Sequence, residues 1–131
     1  MPFVRISASV CHSDETLTAL CDAVFAAIVD ELDRPGYARY LELDTFDPEQ
    51  MARHSRFIGI APEPQNVFVH VHLNHPCTMP QRRRLSQAIG KNLRTMAGLR
   101  EREYLLLIAE RGIRTWTFSD GSASHVATRR C

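Results

Sequence analysis

The chain has 131 residues and a formal net charge of +1, and 44% of its residues are hydrophobic. This length suits one domain with its own apolar core, so we treat residues 1–131 as a single domain. The balanced charge gives no electrostatic reason to expect binding to nucleic acid or to a membrane surface. No apolar run approaches the roughly 18 residues of a membrane span, and we expect no secretory signal. The 4 cysteines stand singly, which is typical of reduced thiols and predicts a cytoplasmic protein.

The first half of the chain predicts a strand, a helix and a second strand. Residues 2–9, PFVRISAS, alternate in polarity, with one face made of Pro2, Val4, Ile6 and Ala8. Ser13 is a suitable N-cap for the helix that follows, and Asp14 and Glu15 suit its first turn. The predicted buried stripe of this helix consists of Leu17, Leu20, Cys21, Val24, Ile28 and Leu32. The letters RPG at 34–36 end the helix, and residues 39–46 alternate as the second strand.

The second half repeats this order after an irregular spacer at 47–65. Residues 66–74, NVFVHVHLN, predict a strand whose buried face consists of Val67, Val69, Val71 and Leu73. Thr78 and Gln81 form a T-x-x-Q capping box, which predicts the start of the second helix. Its predicted buried stripe consists of Leu85, Ala88, Ile89, Leu93 and Met96, and Gly98 supplies the stop. Residues 103–110, EYLLLIAE, predict a strand buried on both faces.

The predicted architecture is therefore α/β, built from duplicated β-α-β units at 2–46 and 66–110. A helix between neighbouring strands favours parallel pairing, so we expect a four-stranded, mostly parallel sheet with two helices on one face. A C-terminal extended tail follows at 111–131. The other face of the sheet would carry Phe68, His70 and His72, and we expect self-association into a symmetric oligomer to cover it.

Four stretches of this sequence resemble the tautomerase superfamily in its long form with fused halves. They are MPFVRIS at the start, SDE at the first helix, RFIGI at 56–60 and RTWTFSDGSA at 114–123. Within the superfamily, the pattern is similar to the malonate semialdehyde decarboxylase-like and 4-oxalocrotonate tautomerase-like group. The resemblance implies a homotrimer, a mature chain that begins at Pro2 after Met1 is removed, and no metal or organic cofactor.

The resemblance assigns the catalytic role to the nitrogen of Pro2. An α-amino group titrates near 7.7–8.0 in a model peptide, and burial in an apolar pocket disfavours its charged form. A base whose pKa lies near the working pH moves protons efficiently, which suits tautomerisation of a small 2-oxo or enol acid. If the pKa of Pro2 is instead high, the cationic proline would act as an acid, as in the decarboxylase and the hydratases of the superfamily. A proline at the edge of a strand can also be without function.

The chain departs from the family pattern where arginines usually bind the substrate carboxylate. The arginine that precedes the first helix in the short members corresponds here to His12. The two arginines after the third strand in the decarboxylase group correspond to His75 and Cys77. Because the planar guanidinium fork suits a carboxylate, these replacements make diacid substrates a weaker expectation.

Other positions keep or replace the remaining parts of the family's site. Ala38 stands where the decarboxylase group has a water-activating aspartate, which weakens the case for hydration or decarboxylation. Arg39 matches a family arginine and is the first candidate for carboxylate binding, with Arg111 and Arg114 as further candidates. Trp116 and Phe118 are expected either to form the apolar wall of the pocket or to close the core.

Three further groups of residues invite other interpretations. His70 and His72 point the same way on a strand and suggest a metal, but no further ligand stands at a dependable spacing. Cys11 and Cys77 lie beside histidines in sequence, yet nothing in the sequence indicates a lowered thiol pKa. The arginines at 82–84 lie in the first turns of a helix, where the helix dipole disfavours cations, and we expect a solvated face paired with acidic residues.

The sequence thus predicts proton transfer by Pro2 on a small 2-oxo or enol carboxylic acid, in a homotrimer. Substrate-binding candidates are Arg39, His12, His75, Trp116 and Phe118, and no metal site is predicted. Two alternatives stay open. One is a decarboxylase or hydratase that uses a cationic proline on a 3-oxo or unsaturated acid, and the other is a catalytically silent oligomeric binding protein on the same scaffold.

Overall fold

The computed structural model of the chain describes residues 3–32, 40–47, 66–73, 76–100 and 103–110. In chain order the elements are β1 (Phe3–Ser9), α1 (Asp14–Leu32), β2 (Tyr40–Phe46), β3 (Val67–Leu73), α2 (Met79–Ala97) and β4 (Tyr104–Glu110). All six elements predicted from the sequence are confirmed, with ends within a residue or two of the predicted ones. The spacer at 48–65 and the tail at 111–131 lie outside the described residues.

The sheet has the strand order β2-β1-β3-β4. β1 pairs with β2 and β3 pairs with β4 in parallel, while the central pair, β1 with β3, is antiparallel. The sheet is therefore mostly parallel, as predicted, and each β-α-β unit contributes one parallel pair. The antiparallel junction brings the amino end of β1 beside the carboxyl end of β3.

One face of this sheet packs against both helices and forms the core. The buried hydrophobic residues of the sheet are Val4, Ile6, Ala8, Val67, Val69, Val71 and Leu73, and each is at most 2% exposed. They belong to one cluster with helix residues that include Leu20, Val24, Ile28, Leu85, Ile89 and Leu93. The alternation in the sequence therefore predicts the buried face of β1 and β3 correctly. Burial of this apolar surface is the main term that stabilises the fold.

Two details of the predicted core are wrong. The helical spacing places Met96 in the buried stripe of α2, but Met96 is 46% exposed. It lies in the last turn of the helix, where burial depends on what packs beyond the helix end, and residue spacing does not encode this. The apolar run of β4 predicts burial on both faces, but among the described strands β4 is at the edge of the sheet and its Leu107 is 50% exposed. The helices cover only one face of the sheet, so β4 leaves part of its apolar surface uncovered in the single chain.

Both helices begin at the predicted caps. The Ser13 Oγ accepts a hydrogen bond from the Thr16 backbone N–H at 3.1 Å. In α2, the Thr78 Oγ1 accepts from the Gln81 N–H at 3.2 Å, and the Gln81 Oε1 accepts from the Thr78 N–H at 2.9 Å. At the other end of α2, Gly98 has φ 71°, the left-handed conformation that glycine adopts without strain. The capping signals in the sequence therefore set the helix boundaries.

We predict that Thr78→Ala lowers the free energy of unfolding by about 1 kcal/mol, because the Gln81 N–H loses its side-chain acceptor. Urea denaturation measures the change, and Thr95→Ala is the control. The Thr95 hydroxyl is exposed and donates to the Lys91 carbonyl of the same helix. A loss from Thr78→Ala that does not exceed the loss from the control would show that the capping box contributes nothing measurable.

In the part of the chain that the structure describes, neither helix is long and apolar enough to cross a membrane.

Candidate active site at the amino end of the first strand

β1 is an inner strand, and its amino end lies between β2 and β3 at one end of the sheet. Phe3, the first described residue, is paired with Tyr40 on β2 and with His72 on β3. The rings of Phe3 and His72 are in contact, with centroids 5.8 Å apart and planes tilted by 53°. Pro2 precedes Phe3 in the sequence and lies outside the described residues. The amino end of β1 therefore carries an aromatic ring in contact with an imidazole.

β3 and β4 end, and α2 begins, at the same end of the sheet as the amino end of β1. Leu73 is paired with Glu110, the last residue of β4. The Arg82 side chain reaches from α2 to this point, where its Nη1 donates to the Ile108 carbonyl at 3.0 Å and its Nη2 donates to the Glu110 carboxylate at 2.6 Å. Its Nε is shielded from solvent and has no hydrogen-bond partner among the described residues. The guanidinium is thus fixed on β4 by two bonds.

Cys77 lies in the connection between β3 and α2, close to the same charged pair. Burial raises the pKa of the Cys77 thiol above its ordinary value, and the Glu110 carboxylate raises this pKa further, whereas Arg82 and Arg84 lower it. A raised pKa means less thiolate at neutral pH, and the thiolate is the reactive form. The environment of Cys77 therefore disfavours a nucleophilic role.

His12 lies at the opposite end of β1 from Phe3. Its backbone N–H donates to the Ser9 carbonyl at 3.2 Å, in the turn that leads into α1. β1 has 7 residues, so this turn is about 20 Å from the amino end of the strand at a rise of about 3.3 Å per residue. Within one chain, His12 therefore lies about 20 Å from the end of β1 that Phe3 occupies, and its role stays a prediction.

The other predicted site residues lie outside the described residues, so their roles stay predictions. They are Pro2, Arg39, His75, Trp116 and Phe118. Ala38, Arg111 and Arg114 lie outside the described residues as well.

The two histidines of β3 lie on the sheet face opposite the helices. His70 is in register with Arg5 and His72 is in register with Phe3, both on β1. Among the described residues, no group of three or more His, Cys, Asp and Glu side chains is arranged to hold a metal ion.

The arginine cluster at the start of α2 has acidic partners, as the sequence predicts. Arg84 lies 3.7 Å from the Glu31 carboxylate on α1, and Arg82 is paired with Glu110. The sequence predicts Arg82 only as part of a solvated face and does not point to Glu110 by itself. A signal for the pair was present, because in a β-α-β unit the helix starts at the edge where both parallel strands end. A long cationic side chain in the first turns of α2 can therefore reach the last residues of β4.

Several solved structures are similar to this chain. FG41 malonate semialdehyde decarboxylase inhibited by 3-bromopropiolate shares 28% sequence identity, with 97% of this chain and 96% of that chain covered and a TM-score of 0.75. A second malonate semialdehyde decarboxylase shares 19% identity over 97% of this chain and 98% of that chain, with a TM-score of 0.74. A fused 4-OT symmetric trimer shares 16% identity over 98% and 99% of the two chains, with a TM-score of 0.73. No protein-family model matches the chain, and no curated protein matches its sequence.

The fold of the chain is that of the tautomerase superfamily, and the resemblance drawn from the sequence motifs is confirmed. Malonate semialdehyde decarboxylase and fused 4-OT both belong to this superfamily, and the comparisons support an enzyme of the same superfamily.

Proposed function

We propose that the chain is a tautomerase in which the nitrogen of Pro2 removes a proton from a small 2-oxo or enol carboxylic acid and returns it to another atom. The observation that carries this proposal is the position of β1, whose amino end lies in the middle of a sheet edge and contacts β3 through the Phe3 and His72 rings. Burial of the Pro2 amine away from water would lower its pKa and favour the neutral base.

The similar structures support a small carboxylic acid as the substrate class. One malonate semialdehyde decarboxylase is inhibited by 3-bromopropiolate, and Pt0534 is inactivated by 2-oxo-3-pentynoate. Both compounds are short carboxylates with an electrophilic triple bond. The structures of the second decarboxylase include a mutant in which a proline at the first position is replaced by alanine.

Labelling with 2-oxo-3-pentynoate tests the proposal directly. A neutral amine adds to the triple bond of this compound, so we expect one adduct per chain, located on the peptide that begins with Pro2. Peptide mass spectrometry after digestion identifies both the site and the free amino terminus. A chain that retains Met1, or an adduct on a cysteine alone, would contradict the proposed role of Pro2.

The pH dependence of the rate separates the proposed reaction from its main alternative. With Pro2 as a neutral base, kcat/KM for phenylenolpyruvate rises with pH and levels off above the pKa of the proline, because only the unprotonated nitrogen accepts a proton. With a cationic Pro2 acting as an acid, the rate falls over the same range. The 28% identity with a malonate semialdehyde decarboxylase favours this second reaction as the alternative, whereas Ala38 in place of the water-activating aspartate weighs against it.

We also propose that the active form is a homotrimer. The sheet face opposite the helices carries Arg5 and Leu107, and the Leu107 side chain is 50% exposed. A structurally similar protein, fused 4-OT, is a symmetric trimer. If His12 binds substrate, it must come from another subunit, because it lies at the far end of β1. Sedimentation at concentrations used in the assay is expected to give three times the mass of the chain, and a monomer with full activity would contradict this assembly.

A further inference from the structure

The two helices form a groove between them that no strand residue lines, and we call it the interhelical groove. Its volume is about 300 Å³, which is at the lower end of the range for small-molecule sites. All of its lining residues belong to the second half of α1 or to α2, and all except Ala88 are polar or charged. Because each helix belongs to a different β-α-β unit, a ligand in this groove contacts both halves of the chain.

The α1 side of the interhelical groove is negative. Asp30 and Glu31 line it and lie in the last turn of α1, which contains no basic residue. The carboxyl end of a helix already carries partial negative charge from its unpaired carbonyl groups. Two carboxylates at this position therefore favour a positive group in front of them.

The α2 side of the interhelical groove is positive. Arg84 and Lys91 are separated by about two helical turns, so their side chains leave the same side of α2. The Arg84 Nε lies 3.7 Å from the Glu31 Oε2, which is longer than a hydrogen bond, and the Arg84 side chain is 58% exposed. An exposed ion pair of this kind contributes little to stability, so the charged groups of a ligand can replace it.

Amide side chains and one small residue complete the interhelical groove. The Asn92 Nδ2 donates to the Ala23 carbonyl on α1 at 3.1 Å. This bond fixes the amide and leaves its Oδ1 to accept from another donor. Gln87 supplies a second amide. Ala88 packs against the core and lines the groove with a single methyl group, which keeps the space above it free.

The balance of charge in the interhelical groove restricts the class of ligand. Its two carboxylates repel a polyanion, and its arginine and lysine repel a metal ion. In the described part of the chain, no three His, Cys, Asp or Glu side chains are grouped to hold a metal. An apolar compound would take water from the charged groups without replacing it. A small zwitterion provides a partner for both sides of the groove at once.

We propose that the interhelical groove binds a free α-amino acid. Asp30 and Glu31 hold its ammonium group, and Arg84 and Lys91 hold its carboxylate. The amides of the groove favour a ligand with a polar side chain. This binding does not depend on proton transfer at Pro2. It stabilises the folded chain, because only folding brings the two helices together.

Calorimetric titration with three related compounds tests the charge requirement. L-glutamine is the zwitterionic probe, N-acetylglutamine lacks the ammonium charge, and glutaminamide lacks the carboxylate. We expect glutamine to bind with a dissociation constant of about 1 mM or lower, and each derivative to bind at least 10-fold more weakly. Absence of glutamine binding, or equal binding of either derivative, overturns the proposal.

Substitutions locate the binding in the interhelical groove. Asp30→Asn and Lys91→Gln each remove one charge from it, and we expect each to weaken glutamine binding at least 5-fold. The controls are Asp22→Asn and Arg83→Gln, which remove the same charges from exposed positions of the same helices outside the groove. We expect these controls to change the affinity less than 2-fold. Losses that are equal in the variants and their controls would place the binding elsewhere and overturn the proposal.

Ala88→Met tests the site by filling it. Glutamine at about 10 mM, roughly 10 times the expected dissociation constant, should raise the melting temperature of the parent but not that of Ala88→Met. Melting curves without glutamine show which variants fold. If a charge variant does not fold, the three compounds and Ala88→Met still decide. A glutamine-dependent rise in Ala88→Met equal to that in the parent contradicts binding in this groove.

Discussion

Pro2→Ala is expected to lower kcat/KM for phenylenolpyruvate by a factor of about 10² to 10⁴, the range that a positioned acid or base contributes. Alanine leaves a primary amine on a chain end without the rigid ring, so the nitrogen remains a base but its lone pair loses its fixed direction. The rate is measured as loss of the enol absorbance, at several pH values. Because the change is confined to one ring, the melting temperature should stay close to that of the parent.

A matched variant isolates the nitrogen from the ring. Inserting one lysine between Met1 and Pro2 keeps the proline but converts its amine to an amide, which accepts no proton. We expect this chain to be inactive, although every described residue from Phe3 onwards is unchanged. Rates equal to that of the parent in either variant would end the case for Pro2 as the base and would favour the catalytically silent binding protein.

The second large effect is expected in the core, at Gly90 in the middle of α2. Gly90 is buried, and a Cβ atom at this position would collide with the Tyr104 hydroxyl oxygen on β4. Alanine is favoured over glycine in a helix by roughly 1 kcal/mol, but overpacking costs about 1–3 kcal/mol. The collision is with the end of an aromatic ring that is partly buried against the core, so we expect it to prevail. Gly90→Ala should lose up to about 2 kcal/mol of unfolding free energy.

Tyr104→Phe provides the control for this prediction. Without the hydroxyl, the nearest ring carbon is 3.5 Å from the added Cβ, an ordinary contact. The double variant should therefore be at least as stable as Tyr104→Phe alone, since only the helical preference of alanine remains. Ser86→Ala, at an exposed position of the same helix, measures the helical gain of alanine over serine, which is smaller than its gain over glycine. If Gly90→Ala is as stabilising as Ser86→Ala, Tyr104 does not restrict the site. Urea denaturation of these proteins gives all of the differences.

The local structure of this chain was predictable because local rules govern it. Alternation fixed the buried face of β1 and β3, and the capping box fixed the start of α2. The antiparallel pairing of β1 with β3 was not predicted, because strand order depends on contacts between distant parts of the chain. The apolar run of β4 predicted a strand buried on both faces. An apolar sequence does not show whether its second face packs against the same chain or against another chain.

The candidate site was less accessible to sequence reasoning. The family motif identified Pro2 as the candidate base. For the positive charge that binds the substrate carboxylate, it identified the positions that His75 and Cys77 occupy here. Arg82 stands a turn further on, and its relation to the site depends on the length of its side chain and on the end of β4. Its distance from β1 follows only from the register of three strands. Likewise, the separation of His12 from Phe3 becomes evident only from the length of β1, because the two residues lie beyond its opposite ends or at them.

The antiparallel pairing of β1 with β3 places the first strands of the two halves in opposite directions, and the two halves differ in whether their first strand can follow a free backbone amine. The halves begin their first strands at opposite edges, β1 after Pro2 and β3 after the buried Asn66. Only the first of these edges can present an unacylated backbone nitrogen, since Asn66 is joined to the chain on both sides. With Pro2 as the proposed base, joining two equivalent units would leave one reactive amine instead of two. Residues near Asn66 then have no catalytic amine to support. Side chains of the second half can instead contribute to the site of the first half.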